Sequence, residues 1–172
     1  MSATPIPKSL ADTVYGEDSG IITITDKPAE RLPVKTAITQ DDEKAARHMI
    51  GEIKKGHQAY IVCPAIDKND KAAQAYSIEE KERIYRSYFD QEHITMAVLT
   101  GKMKAAEKTE LMQKFAGGQI DVLMATTVIE VGMNVPNATV ITITGADRFG
   151  FSTLHQLRGR VGRGRDQAYC IL

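Results

Sequence analysis

Residues 58–64 read Gln58-Ala-Tyr-Ile-Val-Cys-Pro64, a continuous apolar run closed by a proline. A strand with one wet face alternates apolar and polar residues. A run that does not alternate is of the kind buried on both faces, as in a parallel sheet lying between layers of helices. The flanking sequence agrees. Val34 to Thr39 alternates as a strand. Asp41 to Lys55 carries Ala46, Met49, Ile50 and Ile53 at helical spacing and stops at Gly56, a suitable C-cap. Downstream, Asp67 to Ala75 is a polar loop, and Ser77 with Glu80 has the spacing of a capping box for a helix through Phe89. Ile94 to Leu99 is the next strand. Lys104 to Phe115 is a helix with Leu111, Met112 and Phe115 inward, closed by Gly117-Gly118. Ile120 to Ala125, Asn137 to Thr144 and Ala168 to Leu172 are further strands. Strand and helix thus alternate about five times with short connections. The expected fold is α/β: three layers, with right-handed crossovers and a mainly parallel central sheet. Ligands of such sheets bind beyond the carboxyl ends of the strands, so the chemistry is expected at that edge.

The richest cationic stretch is Phe151-Ser-Thr-Leu-His-Gln156-Leu-Arg158-Gly159-Arg160-Val161-Gly162-Arg163-Gly164-Arg165. With Ser152 as N-cap, a helix through it places Gln156, Arg160 and Arg163 on one face, and Leu154, Leu157 and Val161 on a separate apolar stripe. This is an anion-binding surface. Gly159 and Gly162 cost about 1 kcal/mol each in helix propensity, which implies close approach of another backbone or a phosphate. The blander readings are a solvated arginine-rich helix or a disordered Arg-Gly segment that binds RNA loosely. Apolar residues interleaved at helical spacing argue against the second.

Two strand-end loops complete the candidate site. Thr100-Gly101-Lys102-Met103-Lys104 follows one strand at a helix start, where a glycine, two lysines and unpaired amides suit a phosphate. It is not a P-loop, because Met96 stands where a Walker pattern needs glycine. Thr126-Thr127-Val-Ile-Glu130-Val-Gly132-Met-Asn134-Val-Pro136 follows another. Its hydroxyls can donate to phosphate, a contact that positions without reading sequence. These threonines are expected to share the carboxyl edge with the arginine helix. Asp42-Glu43 resembles an ATPase acidic pair but falls in an amphipathic helix, as a solvated face. None of the four histidines has companions at metal spacing. No nucleophile–base pair presents itself.

Lys+Arg and Asp+Glu each number 22 in 172 residues, so no global field draws the chain to nucleic acid or membrane, and any polyanion contact must be local. Cys63 and Cys170 lie in apolar strand-like runs and read as buried free thiols in a reducing compartment. No apolar run approaches a membrane span and no signal-peptide pattern opens the chain, which reads as cytoplasmic. The segment before Pro33 holds a proline-rich start, a short apolar run (Gly20 to Thr25) and a linker (Asp26 to Pro33). Gln167 to Leu172 ends on apolar residues without a polar tail, so the chain reads as a piece of something larger.

These motifs together resemble the superfamily 2 helicases. Ser2-Ala-Thr4 is similar to motif III, Thr126 to Pro136 to motif V, and Gln156-Leu-Arg-Gly-Arg-Val-Gly-Arg163 to motif VI. With Val62-Cys-Pro64, Arg148-Phe-Gly150 and Leu154 to Gly164, the resemblance is to the members that remodel branched DNA; transcription-repair coupling motors carry a closely similar set. It implies that residues 1–32 are the end of a first RecA-like motor domain plus linker, and that residues 33–172 are a second RecA-like domain without its own P-loop. The implied activity is an ATP-dependent DNA helicase acting on stalled forks and Holliday junctions. ATP and Mg2+ would be held mainly by the first motor domain, and that domain and a DNA-engaging wedge domain would be partners in the same polypeptide.

Residue by residue, the resemblance makes Arg163 the arginine finger, Arg160 its companion on the nucleotide phosphates, and Gln156 a contact to the nucleotide or a link to the DNA site. Gly132 and Asn134 lie near the nucleotide, and Thr126, Thr127, Gly101 and Lys102 contact DNA phosphates. Many members carry aspartate where Asn134 stands; an amide still accepts from a ribose hydroxyl but carries no charge. A reading from another class is a non-catalytic nucleic-acid or protein-interaction module of the same fold.

Overall fold

The computed structural model describes residues 32–65, 76–126 and 135–172. Motif III, the run Gly20 to Thr25, nearly all of the linker, the loop Asp67 to Ala75, and Thr127, Gly132 and Asn134 lie outside them. In chain order the described elements are β1 (Lys35–Ala37), α1 (Asp42–Ile53), β2 (Gln58–Cys63), α2 (Ile78–Phe89), β3 (Met96–Leu99), α3 (Ala105–Ala116), β4 (Val122–Thr126), β5 (Ala138–Ile143), α4 (Phe151–Arg158) and β6 (Tyr169–Ile171). The strands form one sheet in the order β1-β6-β5-β2-β4-β3. Every neighbouring pair is parallel.

The reading of residues 58–64 holds. β2 lies at the centre, flanked by β5 and β4, and all six of its residues are buried. Ala59, Ile61 and Cys63 pack with Ala45, Ala46 and Met49 of α1 and Tyr85 and Phe89 of α2. Tyr60 and Val62 pack on the other face with Met112 and Phe115 of α3 and Leu157 of α4. Both faces are covered, so neither can be polar. β1, at one edge of the sheet, is exposed along its three residues.

The caps form largely as their residues dictate. Asp41 Oδ1 accepts from the amides of Glu43 (3.0 Å) and Lys44 (3.2 Å), and Glu107 Oε2 accepts from the amide of Lys104 at 3.0 Å. Ser77 Oγ accepts from Glu80 N at 3.1 Å, but the Glu80 carboxylate is engaged by Arg83 Nη2 at 2.6 Å. The capping box expected there is therefore formed from its serine side, because a nearby guanidinium competes for the glutamate.

Gln58 ties two layers together. Its buried Nε2 donates to the carbonyls of Phe115 (2.6 Å) and Ile120 (2.7 Å), either side of the turn between α3 and β4. Gln58→Ala leaves both carbonyls unsatisfied, and the expected loss is about 2–3 kcal/mol. A urea midpoint equal to wild type would contradict this role. Cys63 and Cys170 are free and buried, and burial pushes both thiols up to about 11. Among the described residues no helix is long and apolar enough to cross a membrane.

Candidate nucleotide and DNA interface

The arginine stretch departs from the single helix expected of it. α4 spans Phe151–Arg158, Gly150 rather than Ser152 holds the N-cap position, and Gly159 ends the helix. Gly162 has φ +69°, a left-handed conformation that cannot continue a right-handed helix. Gln156 is thus on α4, whereas Arg160 and Arg163 follow it on the exit turn and do not share a helical face with it. Arg163 folds back over the helix end, its Nε donating to the Gly159 carbonyl at 3.1 Å. The apolar stripe survives this change: Leu157 and Val161 are buried in the core and Leu154 packs against it.

The segment also lies elsewhere than expected. α4 leaves the carboxyl end of β5 and runs back along the sheet, so its exit turn reaches the opposite edge. A Cβ on Gly162 would sit 3.1 Å from Ala168 Cβ and Val34 Cγ2, residues just ahead of β6 and β1. A Cβ on Gly164 would be 2.9 Å from the carbonyl oxygen of Pro136, just ahead of β5. Residues 162–164 therefore sit at the amino edge, and the shared edge expected for Thr126 and these arginines is corrected. The close approach expected at Gly159 and Gly162 is found in part: a Cβ at Gly162 would meet the side chains of Ala168 and Val34 rather than a backbone, whereas Gly159 faces only the carbonyls of its own helix, and the close backbone approach falls at Gly164 instead.

Arg160 and Arg163 nevertheless act on one common residue. Tyr60, buried on β2 with its ring 5.0 Å from that of Phe115, has its phenol pushed up to about 12 by burial, an effect opposed by both guanidiniums. Two cations thus stand near one phenol on the α3–α4 face of the sheet. Arg160 is half-buried, while Arg163 and Gln156 are exposed. This is a platform able to meet an anion arriving from outside the domain.

The other group assembles at the carboxyl edge. Leu99 is in register with Ala125, and Cys63 with Thr126. The loop after β3 therefore opens beside Thr126. Gly101 and Lys102 are exposed there, and the Gly101 carbonyl accepts from Lys108 Nζ at 3.0 Å. The structure brings Thr126, Gly101 and Lys102 together at the carboxyl edge, whereas Arg163 lies at the amino edge.

Asp42 corrects the solvated-face reading. Its carboxylate accepts from Lys81 Nζ (2.7 Å) and Tyr85 Oη (3.2 Å) beside a groove of about 780 Å³ at the carboxyl ends of β5, β6 and β1. α1 and α2 pack together, and a helix-start carboxylate so placed is drawn into an ion pair. The same region holds a feature that sequence reading missed. The Tyr76 ring lies 5.6 Å from Lys81 Nζ and 5.5 Å from the Arg148 guanidinium. Arg148 was legible only as part of a motif, and Tyr76 carried no signal. Among the described residues no group of three or more His, Cys, Asp or Glu is placed to hold a metal.

Residues 42–165 match the helicase conserved C-terminal domain. The chain belongs to that family. Over its whole length this helicase C-terminal domain is 45% identical to the ATP-dependent DNA helicase RecG of Staphylococcus epidermidis, covering 25% of that protein. A solved structure of RecG bound to a three-way DNA junction matches the entire chain with TM-score 0.75 and 38% identity, over 22% of its own length. The second domain of the DEAD-box helicase Mss116p, solved on an RNA duplex, matches 75% of the chain and 47% of its own at TM-score 0.57 and 19% identity, a likeness of fold alone. The chain spans about a quarter of the length of the curated relatives it matches.

Proposed function

We propose that residues 33–172 form the second RecA-like lobe of an ATP-dependent helicase that remodels branched DNA, such as stalled forks and Holliday junctions, in the cytoplasm. Residues 1–32 are the end of the first lobe and the linker between the two. The observation that carries this reading is the whole-length similarity to RecG at 45% identity. That similarity favours it over a transcription-repair coupling motor or a non-catalytic module.

ATP and Mg2+ are bound mainly by the first lobe, with a wedge domain of the same polypeptide engaging the junction. The Mg2+ would screen the charge of the nucleotide phosphates there. The arginine platform suits a phosphate held by a partner lobe. When the lobes close, Arg163 acts as the finger on the transferring phosphoryl group, Arg160 binds the neighbouring phosphates, and Gln156 reports on the nucleotide. Gly132 and Asn134 lie against the nucleotide. Thr126, Thr127, Gly101 and Lys102 hold the DNA backbone at the carboxyl edge, and alternate grip by the two lobes moves the strand.

A direct test is ATP turnover by residues 1–172 alone, with and without forked DNA. The expected result is none, because one lobe supplies the finger side of the site. Robust DNA-stimulated hydrolysis by this chain would refute the division of labour.

A further inference from the structure

The loop after β5 contains Arg148, to which neither the family resemblance nor the proposed mechanism gives a task. Its place in the fold is informative. Reading the carboxyl edge from β3, the strand ends run β3, β4, β2, β5. The first two carry Gly101, Lys102 and Thr126. β5 ends two strand spacings beyond β4, about 10 Å, on the same edge. Arg148 is exposed there, in the short 3-10 turn Ala146–Arg148 that leaves β5.

It is also held in place. Its guanidinium lies 5.5 Å from the Tyr76 ring centroid, within cation–π range. That ring packs on Gly145, where a Cβ would come 3.2 Å from Tyr76 Cγ and Cδ1 and 3.4 Å from Pro64 Cγ. Tyr76 is thereby seated over the ends of β2 and β5 and fixes the height of the arginine above the edge. Lys81 Nζ lies 5.6 Å from the same ring, lines the groove and pairs with Asp42 at 2.7 Å. Asp147, also exposed, lines the groove, as Tyr76 does.

We propose that Arg148, braced on Tyr76, is a further phosphate-binding residue that extends the DNA-backbone track from Gly101, Lys102 and Thr126 across β2 to the end of β5. The proposal rests on the DNA-binding reading above. Its ligand is the phosphodiester backbone of a single strand, and its contribution is independent of base sequence.

The test is fluorescence-anisotropy titration of residues 1–172 with labelled oligo(dT), starting at low salt, where phosphate contacts are strongest. Arg148→Ala is expected to weaken binding roughly three- to tenfold and to flatten the plot of log affinity against log salt by about 0.7, the amount for one phosphate on a single strand. Arg148→Lys keeps the charge and is expected to keep the slope. Lys102→Ala serves as the comparison. If Lys102→Ala shifts affinity and slope while Arg148→Ala shifts neither, the extended track is wrong and the helicase reading stands. Equal weakening by Arg148→Ala and Arg148→Lys with unchanged slope reduces Arg148 to a brace for Tyr76 and also overturns the proposal. No salt-dependent binding by the wild-type chain overturns the proposal and the DNA-edge reading together.

Discussion

Arg163→Ala in the intact two-lobed motor is expected to lower ATP turnover by about 10³- to 10⁵-fold, the range for losing an arginine finger, while leaving DNA affinity within about twofold. The reasoning is geometric. Arg163 is exposed on the exit turn of α4, with its Nε on the Gly159 carbonyl. Its removal takes no mass out of the core, and exposed substitutions of this kind change stability by about 0.5 kcal/mol or less. The residues proposed to hold DNA, Thr126, Gly101 and Lys102, lie at the carboxyl edge of the sheet, so DNA affinity is expected to change little. Arg163→Lys keeps a charge but loses the planar fork that engages two phosphate oxygens, so it should rescue only part of the rate. Steady-state ATPase together with strand binding decides the matter. Turnover within tenfold of wild type in the alanine variant would remove Arg163 from the active site.

Gly162→Ala is expected to cost about 2–3 kcal/mol, from two sources. An alanine at φ +69° sits in the left-handed region, at about 1–2 kcal/mol. Its Cβ also meets Ala168 Cβ and Val34 Cγ2 at 3.1 Å, closer than side chains ordinarily pack, and overpacking of this kind costs about 1–3 kcal/mol. The chain relaxes to relieve part of each, so the effects do not sum in full. The melting temperature should fall by roughly 5–10 °C. Gly51→Ala is the internal control. Gly51 lies on the exposed side of α1 with nothing within 4 Å of a Cβ, and the same change there should stabilise by about 0.5–1 kcal/mol. Thermal unfolding of the two variants should move in opposite directions. A Gly162→Ala protein as stable as wild type would mean the exit turn takes another conformation.

The contrast between fold and site shows what a single sequence can carry. Periodicity is local, and it was enough for β2, whose unbroken apolar run reflects two covered faces, and for α1, α2 and α3, whose starts are marked by caps. It misjudged the arginine stretch because spacing alone cannot tell a helix of four turns from a helix of two followed by a turn. Leu157 and Val161 are four apart and both buried in either case. The deciding residue was Gly162, whose cost in a helix was noticed but whose left-handed φ is visible only in three dimensions. That Arg160 and Arg163 both act on Tyr60 depends on α4 running back along the sheet, a matter of topology. Asp42 and Arg148 eluded the sequence for a related reason: their partners Lys81, Tyr85 and Tyr76 come from a different helix and loop, and nothing in the local pattern announces a contact across 35 residues or more.

Gly164 touching the Pro136 carbonyl has a mechanical consequence. Arg163 is bonded to Gly164, and Pro136 stands just ahead of β5. A Cβ at Gly164 would come within 2.9 Å of that carbonyl oxygen, so the two backbones lie close there, and close-packed protein transmits displacement rather than absorbing it. A phosphate that draws Arg163 inward is expected to shove the leading end of β5 in the same stroke. The glycine acts as the point where two linkages bear on one another. In the proposed two-lobed motor, stimulation of ATP turnover by DNA is the quantity in which play at this joint would show.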